Sequence, residues 1–176
     1  IELIFDLMAN KQDDDRERLR TLFYFQNQIK QIQNRKGNKM DVWRQVVEYF
    51  QRFKEWHNQS ELYHKIGYLI TVGKISLQEL IKESATCSKR DFIKMLDKWI
   101  SDSIRFEKDY DELSYDIPSD KANIEKLLIL FNVISAYKNG DKSLRFPFSE
   151  HKNKKGGWSL EHIHAQQSDG LKTAEL

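Results

Sequence analysis

The chain of 176 residues carries one cysteine, Cys87. No intrachain disulfide can form, so the fold must rest on its own core, and a reducing compartment, the cytoplasm, is expected. Cys87 itself reads as a small, half-buried residue at a helix end rather than a nucleophile. Long apolar runs are missing too. Stretches such as Leu127 to Phe131 fall well short of the roughly 18 residues that a membrane span needs. Charge of one sign is not in excess: 29 basic against 27 acidic side chains leave a net charge of +2. That balance excludes an overall attraction to nucleic acid or anionic lipid and leaves any charge-driven partner to a local patch. No internal repeat, low-complexity tract or signal peptide is found, and the chain does not open on Met.

Helix breakers are scarce as well, with only Pro118, Pro147 and seven glycines. The long uninterrupted stretches between them carry apolar residues three and four positions apart, the spacing of a helix with one buried face. Residues 16–33 place Leu19, Leu22, Phe23, Gln26, Ile29 and Ile32 on one stripe, and residues 40–57 do the same with Trp43, Val46, Val47, Phe50 and Phe53. Asn58 with Glu61, Ser76 with Glu79 and Ser88 with Asp91 pair a capping oxygen with an acidic residue three positions on, which marks helix starts. A helix is expected from Lys89 to about Tyr110 and another from Pro118 through Tyr137, stopped by Asn139 and Gly140. Residues 1–10 form a further short helix, and the acidic run Asp13 to Asp15 suits either a helix start or a solvated loop. Trp43, Trp56 and Trp99 fall at apolar helix positions and are assigned to core packing. His57 and His64 are read as half-buried polar tips and His151 as a loop residue. The fold class is therefore all-α: a multi-helix domain over residues 1–142, followed by a short irregular or β-containing tail over residues 143–176.

After Gly140 the character changes. Arg145-Phe-Pro-Phe is short, aromatic and broken by proline, and residues 152–157 are rich in Lys and Gly. Then comes Trp-Ser-Leu-Glu-His-Ile-His-Ala-Gln at 158–166. A carboxylate beside a histidine, held between apolar residues, is the smallest unit that can bind a hard cation and deprotonate water. Glu161 is the candidate metal ligand, His162 the candidate general base and His164 a possible second ligand. On spacing alone an adjacent Glu and His without a role is the better bet, because such pairs arise often by chance. The basic residues Lys142, Arg145, Lys152, Lys154 and Lys155 are either phosphate contacts, next to that motif, or a solvated loop.

The run at 158–166 resembles the opening of the His-Asn-His (ββα-metal) nuclease domain of GmrSD-type, modification-dependent restriction endonucleases, in which a Glu-His-Ile-x-Pro-Gln core is typical. Arg145-Phe-Pro-Phe and the opening Ile-Glu-Leu-Ile-Phe-Asp-Leu also look like that family. Ala165 stands where the family usually has Pro. The resemblance implies a ParB-like nucleotide-hydrolysing domain upstream, a helical region, and then a nuclease using Mg or Mn. It implies Glu161 as metal ligand and His162 as base, with modified phage DNA as substrate. The family's Asp-Gly-Gln-Gln-Arg type nucleotide motif is absent, and the later Asn and last ligand have no counterpart before Leu176. This chain is accordingly expected to be the middle of a longer protein: a connector, inactive by itself, that couples the two domains and is a candidate for homo-oligomerisation through the helical domain. The alternative is a non-enzymatic helical interaction or dimerisation module.

Overall fold

The structure, a computed structural model, describes residues 1–11, 19–35, 38, 40–139, 141 and 143–152, the last without its side chain. Among these residues the architecture is all-α. The helices are α1 (Glu2–Met8), α2 (Arg20–Asn34), α3 (Met40–Asn58), α4 (Ser60–Thr71), α5 (Leu77–Thr86), α6 (Lys89–Ser103), α7 (Pro118–Lys138) and α8 (Phe148–Lys152), with one 3-10 turn at Tyr110–Glu112. No strand occurs among the described residues, and no helix there is long and apolar enough to cross a membrane. The acidic run Asp13 to Asp15 lies outside them.

Local chemistry explains most of the boundaries. Ser76 closes a capping box at the start of α5: its hydroxyl accepts the Glu79 N–H at 3.2 Å, while the Glu79 carboxylate accepts the Ser76 N–H at 2.9 Å. The Ser88 hydroxyl accepts the Asp91 N–H at 3.2 Å and so opens α6. Both satisfy amide groups that a helix start otherwise leaves unpaired. Pro118 stands in the first turn of α7, where its missing N–H costs nothing. Two boundaries differ from expectation. Asn58 belongs to α3, and α4 starts after Gln59 without a side-chain cap. The helix expected to reach Tyr110 ends at Ser103, whose hydroxyl donates back to the Ile100 carbonyl at 2.7 Å.

Helix α4 is the hub, in contact with α3, α6, α7 and α8. Its Leu62, Ile66, Tyr68 and Leu69 are buried against Leu80 and Ile81 of α5, Phe92 and Leu96 of α6, and Leu130 and Val133 of α7. Full burial of each such aliphatic side chain contributes about 1.5–3 kcal/mol. Trp56 stacks on Phe92 with ring centroids 5.7 Å apart, and Trp99 packs on the same core. The Tyr68 hydroxyl donates to Ser103 at 3.0 Å, so the one buried phenol at the centre is satisfied. Lys65 lies between Glu61 (2.7 Å) and Asp97 (2.6 Å). Burial works against its charge, but the two carboxylates outweigh burial and raise its pKa. Cys87 is half-buried at the carboxyl end of α5.

A smaller cluster forms where Ile4 and Met8 of α1 meet Val46 of α3, with Phe5, Tyr24 and Phe25 around them. Trp43 does not join either core. It stands about half exposed, together with Met40 and Phe50 of the same helix. Its apolar position in the helical pattern is genuine, but the side chain lines an open groove with Phe5 of α1, Leu22 and Phe25 of α2 and Val46 instead of entering a core.

Candidate functional site

The motif residues Glu161, His162 and His164, and the basic residues Lys142, Lys154 and Lys155, lie outside the described residues, as does the Lys152 side chain. What the structure describes is how the segment leading to them is held. Residues 145–148 do not peel away from the helical body; Phe146 is buried in the main core and Phe148 packs against it.

The hold is built from two consecutive residues of α4. The Phe146 N–H donates to Nε2 of His64 at 3.2 Å, and the Phe146 carbonyl accepts the Tyr63 hydroxyl at 3.0 Å. One residue of the connector thus has both backbone polar groups satisfied by side chains more than eighty positions earlier in the chain. His64 in turn donates Nδ1–H to the Ser60 carbonyl one helical turn back, at 2.7 Å. With Nδ1 donating and Nε2 accepting, the imidazole is neutral and its tautomer is fixed. Burial pushes its pKa below the ordinary 6.5; the bond to Ser60 works the other way and the nearby Arg145 charge adds to the lowering. The expected half-buried tip is in fact a fully buried latch, 1% exposed.

Aromatic packing completes the seat. The ring centroids of Phe146 and Phe148 lie 4.8 Å apart, those of Tyr63 and Phe148 5.6 Å, and those of Tyr137 of α7 and His64 5.9 Å. Gly67 gives Phe148 its space, because a Cβ at that position would overlap the ring. Arg145 directs its guanidinium to the Asn58 and Leu144 carbonyls, at 3.2 and 3.1 Å, and sits 5.4 Å over the Tyr63 ring. A phosphate contact by Arg145 would therefore compete with these bonds. His151, expected in a loop, lies in α8. His57 meets the Asn58 side chain at 3.4 Å and the edge of Tyr63.

No group of three or more His, Cys, Asp or Glu side chains that could hold a metal ion occurs among the described residues. Nothing in the sequence singles out Tyr63 or Gly67, and His64 reads there only as a half-buried polar tip. Their roles depend on a partner segment that periodicity within α4 does not reveal. No protein-family model matches the chain, and neither does any curated protein or solved structure.

Proposed function

We propose that the chain is the helical connector of a metal-dependent DNA endonuclease of the GmrSD type, acting in the cytoplasm on modified phage DNA. The observation that carries this reading is the Trp-Ser-Leu-Glu-His-Ile-His-Ala-Gln run at 158–166. The seating of residues 145–148 on α4 supports the connector part of this reading: the run follows, in sequence, a segment bonded to the helical core. In this reading Glu161 is a metal ligand and His162 takes the proton from the attacking water. Lys142, Lys152, Lys154 and Lys155 meet phosphate oxygens.

The donor set fits Mg or Mn only in part. These hard cations take oxygen-rich, near-octahedral shells, and the run offers one carboxylate and two imidazoles. The metal site belongs to a complete nuclease module, and nucleotide hydrolysis to an upstream domain. The test is cleavage of modified plasmid DNA by the full-length parent in Mg or Mn, with Glu161→Ala beside it. Metal-dependent cleavage is expected, with Glu161→Ala losing rate and requiring more metal. A parent that cleaves no DNA overturns the reading.

A second reading, a non-enzymatic helical interaction module, draws on the half-exposed apolar side chains of α2 and α3. It predicts that Glu161 and His162 can both be replaced without effect.

A further inference from the structure

Helices α4, α6 and α7 meet around the Tyr68 phenol and leave a cavity of about 260 Å³ between them. Its inner walls are His64 and Tyr68 of α4, Ile100 of α6, and Leu130 and Val133 of α7, all buried except Ile100, which is half-buried. Ile134 and Tyr137 of α7 are each 38% exposed and stand at the mouth, with Lys65, Asp97 and Lys138.

The chemistry of the walls selects the guest. Both nitrogens of His64 are engaged, by the Ser60 carbonyl and the Phe146 N–H, and the Tyr68 hydroxyl donates to Ser103. The inner wall has no donor left to offer, and a polar guest would give up its hydrogen bonds to water without replacement. The interior therefore takes hydrocarbon. The mouth differs. Lys65 bonds Asp97 at 2.6 Å, so those two charges answer each other. The Lys138 ammonium and the Tyr137 hydroxyl have no hydrogen-bond or ion-pair partner among the described residues. A free cation and a free hydroxyl beside a hydrocarbon-lined cavity complement a carboxylate on an apolar body. Volume sets the size of that body. An apolar cavity of roughly 150 Å³ holds benzene, so this one takes a guest of about ten non-hydrogen atoms.

We infer that the α4–α6–α7 cavity is a binding site for a small apolar carboxylate, with its hydrocarbon body against Leu130 and Val133 and its carboxylate at Lys138 and Tyr137. The groove between α2 and α3 does not offer the same chemistry: it is larger, about 490 Å³, but no charged side chain of the described residues lines it. The site stands on the helical body alone and goes beyond the nuclease reading without resting on it.

Octanoate, with about ten non-hydrogen atoms, is the probe, and octylamine is its cationic counterpart of the same length. In a methyl-resolved NMR titration of this chain, octanoate is expected to shift Ile100, Leu130, Val133 and Ile134 and to leave Leu22, Ile29 and Val46 of the groove in place. A guest of that size binds with a dissociation constant of about 1 mM. Octylamine should bind more weakly. Lys138→Met is expected to weaken octanoate about two- to fivefold and octylamine not at all. Val133→Phe puts a ring into the cavity and should abolish octanoate binding. No shift at millimolar octanoate, shifts in the groove methyls instead, or octylamine binding as tightly as octanoate would each overturn the inference. A folded Val133→Phe chain that still binds octanoate would overturn it too; if that chain does not fold, the wild-type methyl shifts and Lys138→Met decide.

Discussion

Replacing Gly67 by alanine sets two effects of opposite sign against each other. Gly67 lies in the interior of α4, where Gly→Ala ordinarily stabilises a helix by about 0.5–1 kcal/mol. Here the added Cβ overlaps the Phe148 ring. That ring cannot retreat freely, because Phe146 at 4.8 Å and Tyr63 at 5.6 Å pack on it. Overpacking of this kind costs about 1–3 kcal/mol, so the expected net effect of Gly67→Ala is a loss of about 1–2 kcal/mol. Urea unfolding followed by circular dichroism reads the difference directly. The same substitution in a Phe148→Ala background has no ring to meet and should recover the ordinary helix gain, giving a coupling between the two sites. If Gly67→Ala stabilises the otherwise native chain, Phe148 is not seated on α4 and the connector is not docked as described.

The His64 latch predicts a pH dependence. Burial lowers the folded-state pKa beneath 6.5, so the unfolded chain takes up the proton first. The stability is then complete above about pH 6.5 and lost as pH falls below it toward the depressed value. Urea midpoints should drop between about pH 7.5 and 5.5, and His64→Gln should flatten that slope; an unchanged slope would assign the titration to another group. Ser76→Ala removes the α5 capping box and is expected to cost about 1 kcal/mol in a thermal melt, with no measurable loss counting against it. The chain alone should not cleave plasmid DNA in Mg or Mn, since one carboxylate and its neighbouring imidazoles do not hold a metal tightly. Cleavage that persists through purification and disappears in His162→Ala would contradict this.

Helix starts were the most readable part of the sequence, because a cap is a local event. Ser76 with Glu79 and Ser88 with Asp91 form within a few residues the bonds that their spacing announces. Ends were harder. Ile104, Phe106 and Tyr110 continue an apolar pattern past Ser103 with no Gly or Pro to stop it. There the backbone instead leaves the helix beside a serine bonded to Tyr68 and Ile100, a tertiary arrangement. Periodicity also does not say which of two stripes on one helix faces inward, which is why Trp43 read as core. The latch was illegible for a related reason: His64 and Phe146 are 82 positions apart, and neither carries a local signature of the other. Of the basic and acidic site residues chosen from sequence, Arg145 is the one whose side chain the structure describes, and it lies on Tyr63 and the Asn58 carbonyl.

In the proposed function the segment after the seated connector carries a nuclease base. The most direct measurement is DNA cleavage by the full-length parent carrying His162→Ala, with the melting temperature taken on the same sample. Loss of a general base lowers the rate by about a hundredfold to ten-thousandfold, and a side chain whose role is catalytic rather than structural should leave the melting temperature in place. Lost cleavage with an unchanged melting temperature is the expected pair of results. Cleavage at the normal rate by His162→Ala would contradict it.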